Sequence, residues 1–241
     1  MTDLLYLPDD DGTTEFTATV EHADEDAIVL NGTYFYPEGG GQPADTGTLT
    51  WDGGSADVVD VQKDGGDVEH RIDAIDGDLP AEGDEVTGRI DADRREKHRR
   101  MHTAQHVMSK VVLDEFDAET AGNQIHSERS RIDFEPADFS QEDVARIEDR
   151  TNEVIARDLP VAKENMARDA AERETPEDRG LLDLIPDSVD PLRMVRIGEF
   201  DLCPCGGTHV DRLGEIGRVR IVDRTSKGAD VERIEFELED A

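Results

Sequence analysis

Cysteine is nearly absent from this chain, with two residues, Cys203 and Cys205, in 241. They are separated by one proline, too close for an ordinary structural bridge, so a disulfide framework is excluded and a reducing compartment is indicated. No apolar run reaches the roughly 18 to 20 residues that cross a bilayer. The opening Met1-Thr2-Asp3-Leu4-Leu5 has neither a basic n-region nor an apolar h-region. The chain reads as soluble and cytoplasmic, with no membrane partner. Positive charge is scarce too: 26 Lys+Arg, mostly Arg, stand against 60 Asp+Glu, for a formal net charge of -34. The acidic residues are interleaved with apolar periodicity instead of forming a tail, which argues against disorder. Such a surface suits concentrated salt, where the Debye length falls to about 3 Å and carboxylate self-repulsion is screened. A halophilic cytoplasm is expected.

What the chain does have begins with short strands. Residues 14–20, 27–30, 33–36, 46–51, 56–62 and 85–91 read as β, closely punctuated by Gly, Asp and Asn, which predicts a small β-barrel over residues 1–92. Asp93 resembles an N-cap, and a helical run follows to about residue 116. Beyond it the pattern alternates: strand 129–134, helix 140–157, strand 161–166, a short helix near 176–184, then strands 193–197, 218–223 and 231–238. Residues 93–241 are therefore expected to form an α+β domain. There is no internal repeat and no low-complexity segment.

Two fragments about a hundred residues apart carry the chemistry. His102-Thr103-Ala104-Gln105-His106 and Cys205-Gly206-Gly207-Thr208-His209 each place two metal-capable side chains four positions apart. On a helix, four positions amount to about 40° of rotation, so His102 and His106 present two imidazoles to one point. This half resembles the zinc-binding part of HExxH metalloproteases but lacks their Glu general base. The two glycines between Cys205 and His209 permit a tight turn that aims both ligands inward. Alone, a His-x3-His pair is more often packed or exposed than ligating. Joined by the Cys/His pair, three imidazoles and a thiolate form a Zn²⁺ donor set. Four protein ligands also fit a purely structural zinc, since catalytic zinc usually keeps one position open.

A third fragment, Glu38-Gly39-Gly40-Gly41-Gln42, lies in the β half. Its glycines offer unobstructed backbone N–H groups, and the Gln42 amide can donate and accept beside them. A plain hairpin turn is the bland alternative. Arg94, Arg95, Lys97, Arg99 and Arg100 form the one dense basic patch, directly ahead of His102. It reads equally as a nucleic-acid contact or as a helix face neutralised by Asp and Glu.

Taken together, the Glu38–Gln42 fragment, Met101-His102-Thr103-Ala104-Gln105-His106 and Asp201-Leu202-Cys203-Pro204-Cys205-Gly206-Gly207-Thr208-His209-Val210 resemble the AlaX-type trans-editing proteins over nearly the whole chain. These are free-standing relatives of the alanyl-tRNA synthetase editing domain, and the resemblance is to the two-domain type, here with haloarchaeal composition. It implies an N-terminal β-barrel, then a zinc-binding editing domain of the kind shared by alanyl- and threonyl-tRNA synthetases. It implies hydrolysis of the ester joining serine, with glycine as a second candidate, to alanine tRNA, with one Zn²⁺ on His102, His106, Cys205 and His209. A synthetic pocket shaped for a methyl group cannot strongly reject an added hydroxyl or a missing methyl, so a second hydrolytic site is needed. Gln42 and Thr103 are expected to act at the reacting end, and Gly40, Gly41, Asn123, Gln124 and Arg233 to contact substrate. For Asn123 and Gln124 this rests only on their place ahead of the strand at 129. Arg218, Arg220, Arg224 and Lys227 join Arg233 as candidate phosphate contacts. Cys203 departs from the usual motif and is a competing ligand, although only Cys205 has the x3 spacing to His209. No side chain stands out as general base, which leaves the terminal ribose hydroxyl of the tRNA as a candidate. Threonyl-type editing and a non-enzymatic zinc-stabilised tRNA-binding module are the alternatives.

Overall fold

The computed structural model describes residues 1–175, 182 and 185–239. They fall into two compact units, Met1–Glu96 and Lys97–Ala241. In the first, β1 (Asp3–Leu4) and β4 (Gly32–Thr33) form a short parallel pair. The remaining strands are β2 (Glu15–Ala23), β3 (Ala27–Leu30), β5 (Gly47–Trp51), β6 (Gly54–Asp64), β7 (Asp67–Gly77) and β8 (Glu85–Ile90). They close a barrel in the order β2-β3-β7-β6-β5-β8, antiparallel throughout. Alternation builds it: Phe16, Ala18 and Val20 of β2 and Val86, Gly88 and Ile90 of β8 point inward while their neighbours are more exposed. The expected small barrel is present. The strand expected at 33–36 is not: pairing there covers only Gly32–Thr33.

One inward position of β7 holds a histidine. His70 is fully buried, with Nδ1 2.9 Å from the Ile28 carbonyl and Nε2 2.7 Å from Thr33 Oγ1. The carbonyl requires a proton on Nδ1, so the neutral ring accepts the threonine hydroxyl at Nε2. Burial pushes its pKa down from 6.5 to about 4, against the opposing pull of the Ile28 carbonyl. Unfolded, the ring protonates near pH 6.5, so between those values the unfolded chain binds more protons and stability falls as the pH drops. The loss is complete below pH 4 and amounts to about 3 kcal/mol, at about 1.4 kcal/mol per pKa unit. Urea unfolding from pH 7 to pH 4 is expected to show that extra slope in the wild type and not in His70→Gln. Equal slopes would mean that the folded barrel accommodates the imidazolium.

α1 (Ala92–Phe116) starts in the first unit, and the second is built around its length from Lys97 onward. Its cap is Asp91, two residues ahead of the expected Asp93: Asp91 Oδ1 accepts the Arg94 N–H at 3.0 Å and its carbonyl accepts the Arg95 N–H at 3.0 Å. From Met101 to Ser109 every residue is buried. This stretch is therefore not an amphipathic surface helix, and its polar side chains must find partners inside the unit.

An antiparallel sheet of β9 (Glu119–Gln124), β10 (Ser130–Glu135), β14 (Arg218–Gly228) and β15 (Val231–Glu239) runs in the order β14-β15-β10-β9. Met101, Ala104, Val107, Met108 and Val111 of α1 share one core with Ile132, Phe134, Ile234 and Phe236 of this sheet. α2 (Gln141–Ile155) joins that core through Ile147 and Val154, and starts on a capping box between Ser140 and Asp143. A second antiparallel sheet contains β11 (Val161–Met166), β12 (Leu192–Ile197) and β13 (Asp201–Pro204), and α3 (Arg168–Glu174) follows β11. The helix expected at 176–184 falls, Leu182 apart, outside the described residues. No helix among the described residues is long and apolar enough to cross a membrane.

Candidate metal centre

α1 delivers His102 and His106 one turn apart, and the segment after β13 delivers Cys205 and His209. One ligand atom from each of the four lies within 4.8 Å of all the others. Cys205 Sγ is 3.6 Å from His102 Nε2 and 3.3 Å from His209 Nε2. Tetrahedral bonds of about 2.0–2.3 Å would set neighbouring ligand atoms roughly 3.3–3.8 Å apart, so these two edges already fit one ion. The rings converge from different directions, with centroid separations of 4.5 Å for His102–His209 and 4.7 Å for His106–His209. Such nitrogen and sulfur donors suit a borderline-soft divalent ion.

The electrostatics favour the ligating forms. Burial pushes the His102 pKa down to about 3, helped by Arg193 and His98. Burial likewise holds His209 well below 6.5, with further lowering by His102, His106, Arg193 and Lys163. Both rings are therefore neutral at pH 7. The Cys205 sulfur receives the Gly207 N–H at 3.3 Å. The three imidazoles are buried and Cys205 is only partly so; a Cβ on the exposed Gly206 would meet nothing within 4 Å. The centre is thus approachable at its sulfur side.

Arg193 of β12, which the sequence did not single out, shapes this loop. Its guanidinium donates to the carbonyls of Cys205 at 2.7 Å and Gly207 at 2.8 Å, while its own carbonyl accepts the Cys205 N–H at 3.1 Å. Neither Gly206 nor Gly207 has a positive φ, so the turn owes its shape to this clamp and not to left-handed backbone. Arg99 fixes the other end, donating from Nε to the His209 carbonyl at 2.8 Å and pairing with Asp211, which also binds the buried Lys163.

Thr103 is fully buried beside His209. Its hydroxyl donates to the Arg99 carbonyl at 2.8 Å, accepts the Val210 N–H at 3.2 Å and lies 3.2 Å from His209 Nδ1. Gln105 and Ser109, again four apart on α1, open a polar chain toward β9. Gln105 Nε2 donates to Ser109 Oγ at 2.8 Å, Thr120 Oγ1 to Ser109 Oγ at 2.7 Å, and Asn123 Nδ2 to Gln105 Oε1 at 3.3 Å. Asn123 thus joins a network that begins on α1, within a strand where the sequence indicated only a polar segment.

Other expected contacts are committed elsewhere. Gln124 Oε1 accepts Nε and a terminal nitrogen of Arg131 at 3.1 and 3.0 Å. Arg233, expected on substrate, is held in a fork by Asp133 at 2.6 and 2.8 Å. In the basic patch, Arg95 is buried against Asp45, Lys97 pairs with Glu128 at 2.7 Å, Arg99 holds His209 and Asp211, and Arg94 and Arg100 donate to the carbonyls of Ala44 and Ile216. Arg220 and Arg224 pair with Glu237 and Glu232. Each of these seven cations has a carboxylate or carbonyl within hydrogen-bonding reach.

Gly40, Gly41 and Gln42 belong to the first unit. Gly39 and Gln42 exchange backbone hydrogen bonds of 3.1 and 2.9 Å around Gly40 and Gly41, at φ 57° and 82°. Two consecutive positive φ values define a hairpin turn that strongly favours glycine. A Cβ on Gly40 would meet nothing within 4 Å, and Gln42 is fully buried. Cys203 Sγ lies 3.0 Å from His106 Nδ1, and with Asp201 these residues form a second buried group sharing His106.

Comparison with known proteins matches residues 7–94 to the profile of class II (A) tRNA synthetases and residues 192–235 to the second additional domain of threonyl and alanyl tRNA synthetases. The first match includes Gln42 and the second Cys205 and His209, while His102 and His106 lie between them. Among relatives, the alanyl-tRNA editing protein AlaX-M of Methanosarcina barkeri is 40% identical, with all of both chains covered. Its counterpart from Methanosarcina acetivorans is 39% identical, again over the full length of both. The alanine–tRNA ligase of Halorubrum lacusprofundi is 40% identical over 95% of this chain, which spans 25% of that ligase.

Proposed function

Because the chain belongs to the AlaX-M family of alanyl-tRNA editing proteins, we propose that it removes wrong amino acids from alanine tRNA by hydrolysing the aminoacyl ester. One zinc ion is held by His102, His106, Cys205 and His209. The observation that carries the reading is the meeting of these four side chains, from fragments about a hundred residues apart, within 4.8 Å. Serine is the chief substrate amino acid and glycine a second one, since these are what a pocket shaped for alanine fails to reject.

When bound, the zinc ion supplies a Lewis acid and a fixed positive charge at the end of the tRNA. The chain's own residues do the rest. Arg193 fixes the Cys205 loop, the Gly207 N–H contacts the sulfur, and burial keeps His102 and His209 neutral and shields the three imidazoles from water. In the first unit, the turn at Gly40 and Gly41 is open enough for its backbone to meet RNA. Gln105 and Asn123 line the polar side of α1 and are candidates to read the serine hydroxyl.

Deacylation assays in high salt with Ser-tRNA, Gly-tRNA and Ala-tRNA, all on alanine tRNA, test this. Hydrolysis of the serine ester at least about a hundredfold faster than the alanine ester is expected, the discrimination a buried hydroxyl-binding group provides. Equal hydrolysis of all three contradicts editing, no hydrolysis of these but cleavage of serine from threonine tRNA, added as a fourth substrate, marks a threonyl-type enzyme, and binding without hydrolysis marks a tRNA-binding module.

A further inference from the structure

A hydroxyl has one hydrogen to give and two lone pairs to receive. In Thr103 the hydrogen goes to the Arg99 carbonyl and one lone pair takes the Val210 N–H. The third partner, His209 Nδ1 at 3.2 Å, meets the remaining lone pair, so this nitrogen must carry a proton. The opposite nitrogen, Nε2, is then bare, and it faces the Cys205 sulfur at 3.3 Å. We infer that Thr103 is a positioning residue: it fixes His209 as the Nδ1–H tautomer and aims Nε2 at the metal, instead of reading the substrate. The inference deepens the proposed zinc centre and rests on it for its consequence, although the tautomer stands on hydrogen bonding alone.

The Arg99 carbonyl that orients this hydroxyl lies one turn back on α1, and Arg99 itself grips the His209 carbonyl. His209 is thereby held at its backbone by Arg99 and at its ring by Thr103, both from the helix that carries His102 and His106. A partner of this kind sets ligand orientation and basicity, and its loss typically weakens metal affinity by about 10- to 100-fold. The fully engaged, fully buried hydroxyl leaves nothing with which to meet a serine side chain.

Thr103→Val keeps the shape and deletes the hydroxyl, while Thr103→Ser keeps the hydroxyl. Zinc affinity of the full chain, measured by competition with a chromogenic chelator, is expected to fall about 10- to 100-fold in Thr103→Val and to stay within about threefold in Thr103→Ser. At saturating zinc the ratio of Ser-tRNA to Ala-tRNA hydrolysis stays at the wild-type value in both. Unchanged zinc affinity with a collapsed ratio would overturn the inference in favour of direct substrate reading. Equal loss of zinc in both variants would overturn it in favour of simple packing. Imidazole ¹⁵N shifts of His209 in the metal-free wild type give an independent decision: an Nδ1–H tautomer supports the inference and an Nε2–H tautomer sinks it. If the wild type takes up no zinc, the metal reading of the family site fails separately, and the tautomer still judges Thr103.

Discussion

Cys205→Ser is expected to lose its zinc and its deacylase activity together. Structural zinc sites bind with about 10–16 kcal/mol, so each of four ligands carries about 3–4 kcal/mol, or a factor of about 10²–10³ in affinity. Serine cannot replace the lost contribution: a neutral hydroxyl is a poorer zinc ligand than a thiolate, and the Gly207 N–H that now points at the sulfur would point at a shorter side chain. His102→Ala should behave alike, because it too removes one ligand and leaves the other three placed by Arg193, Arg99 and α1. Zinc content after dialysis, the deacylation rate and the circular dichroism spectrum, measured side by side, check this. Loss of metal and activity with the spectrum kept is the expected combination. A Cys205→Ser chain that still holds zinc and still cleaves the ester would show Cys203 or Asp201 taking over, as their grouping with His106 would allow. In that event Cys203→Ser, expected here to retain zinc, would be the variant that loses it.

The meeting of those four residues was legible in the sequence because the x3 spacing of each pair survives whatever surrounds it. The barrel was legible for a similar reason, since period-two alternation in β2 and β8 is strict. β7 was hidden because one of its inward positions is His70, which breaks the apolar rhythm while its ring is satisfied by Thr33 and Ile28. β9 was hidden more thoroughly. Glu119–Gln124 contains no large apolar residue, since Thr120 and Asn123 meet the polar Gln105 and Ser109 of α1. β13 and α3 are too short to show a period. Charge misled in the other direction: five cations in seven residues look like a nucleic-acid footprint, but sequence does not reveal which acceptors surround a side chain. Arg193, 12 and 14 residues from the carbonyls it holds, and the grips of Arg99 and Thr103 on His209, across 110 and 106 residues, are invisible for the same reason.

Arg95→Met is expected to destabilise the first unit by about 3–5 kcal/mol, a large part of the roughly 5–15 kcal/mol that holds an ordinary domain together. Arg95 is 1% exposed and Asp45 not at all. The guanidinium forks onto the carboxylate and also donates to the carbonyls of Asp11 at 2.6 Å and Tyr34 at 2.7 Å. Removing it strands the Asp45 charge beside the Tyr36 N–H at 2.7 Å and leaves two carbonyls without this donor. Arg95→Lys should not rescue, because a point charge on a flexible stem cannot span a carboxylate and two carbonyls at once. Arg95→Met/Asp45→Leu should recover much of the loss, because a buried pair replaced by apolar groups is often neutral. Urea midpoints of the four chains in high salt decide the matter. If Arg95 served instead as a phosphate contact, Arg95→Met would keep its midpoint and bind tRNA more weakly, with a salt slope reduced by about one. The buried fork makes the opposite outcome the expected one: a lost midpoint, with any fall in tRNA binding following from unfolding.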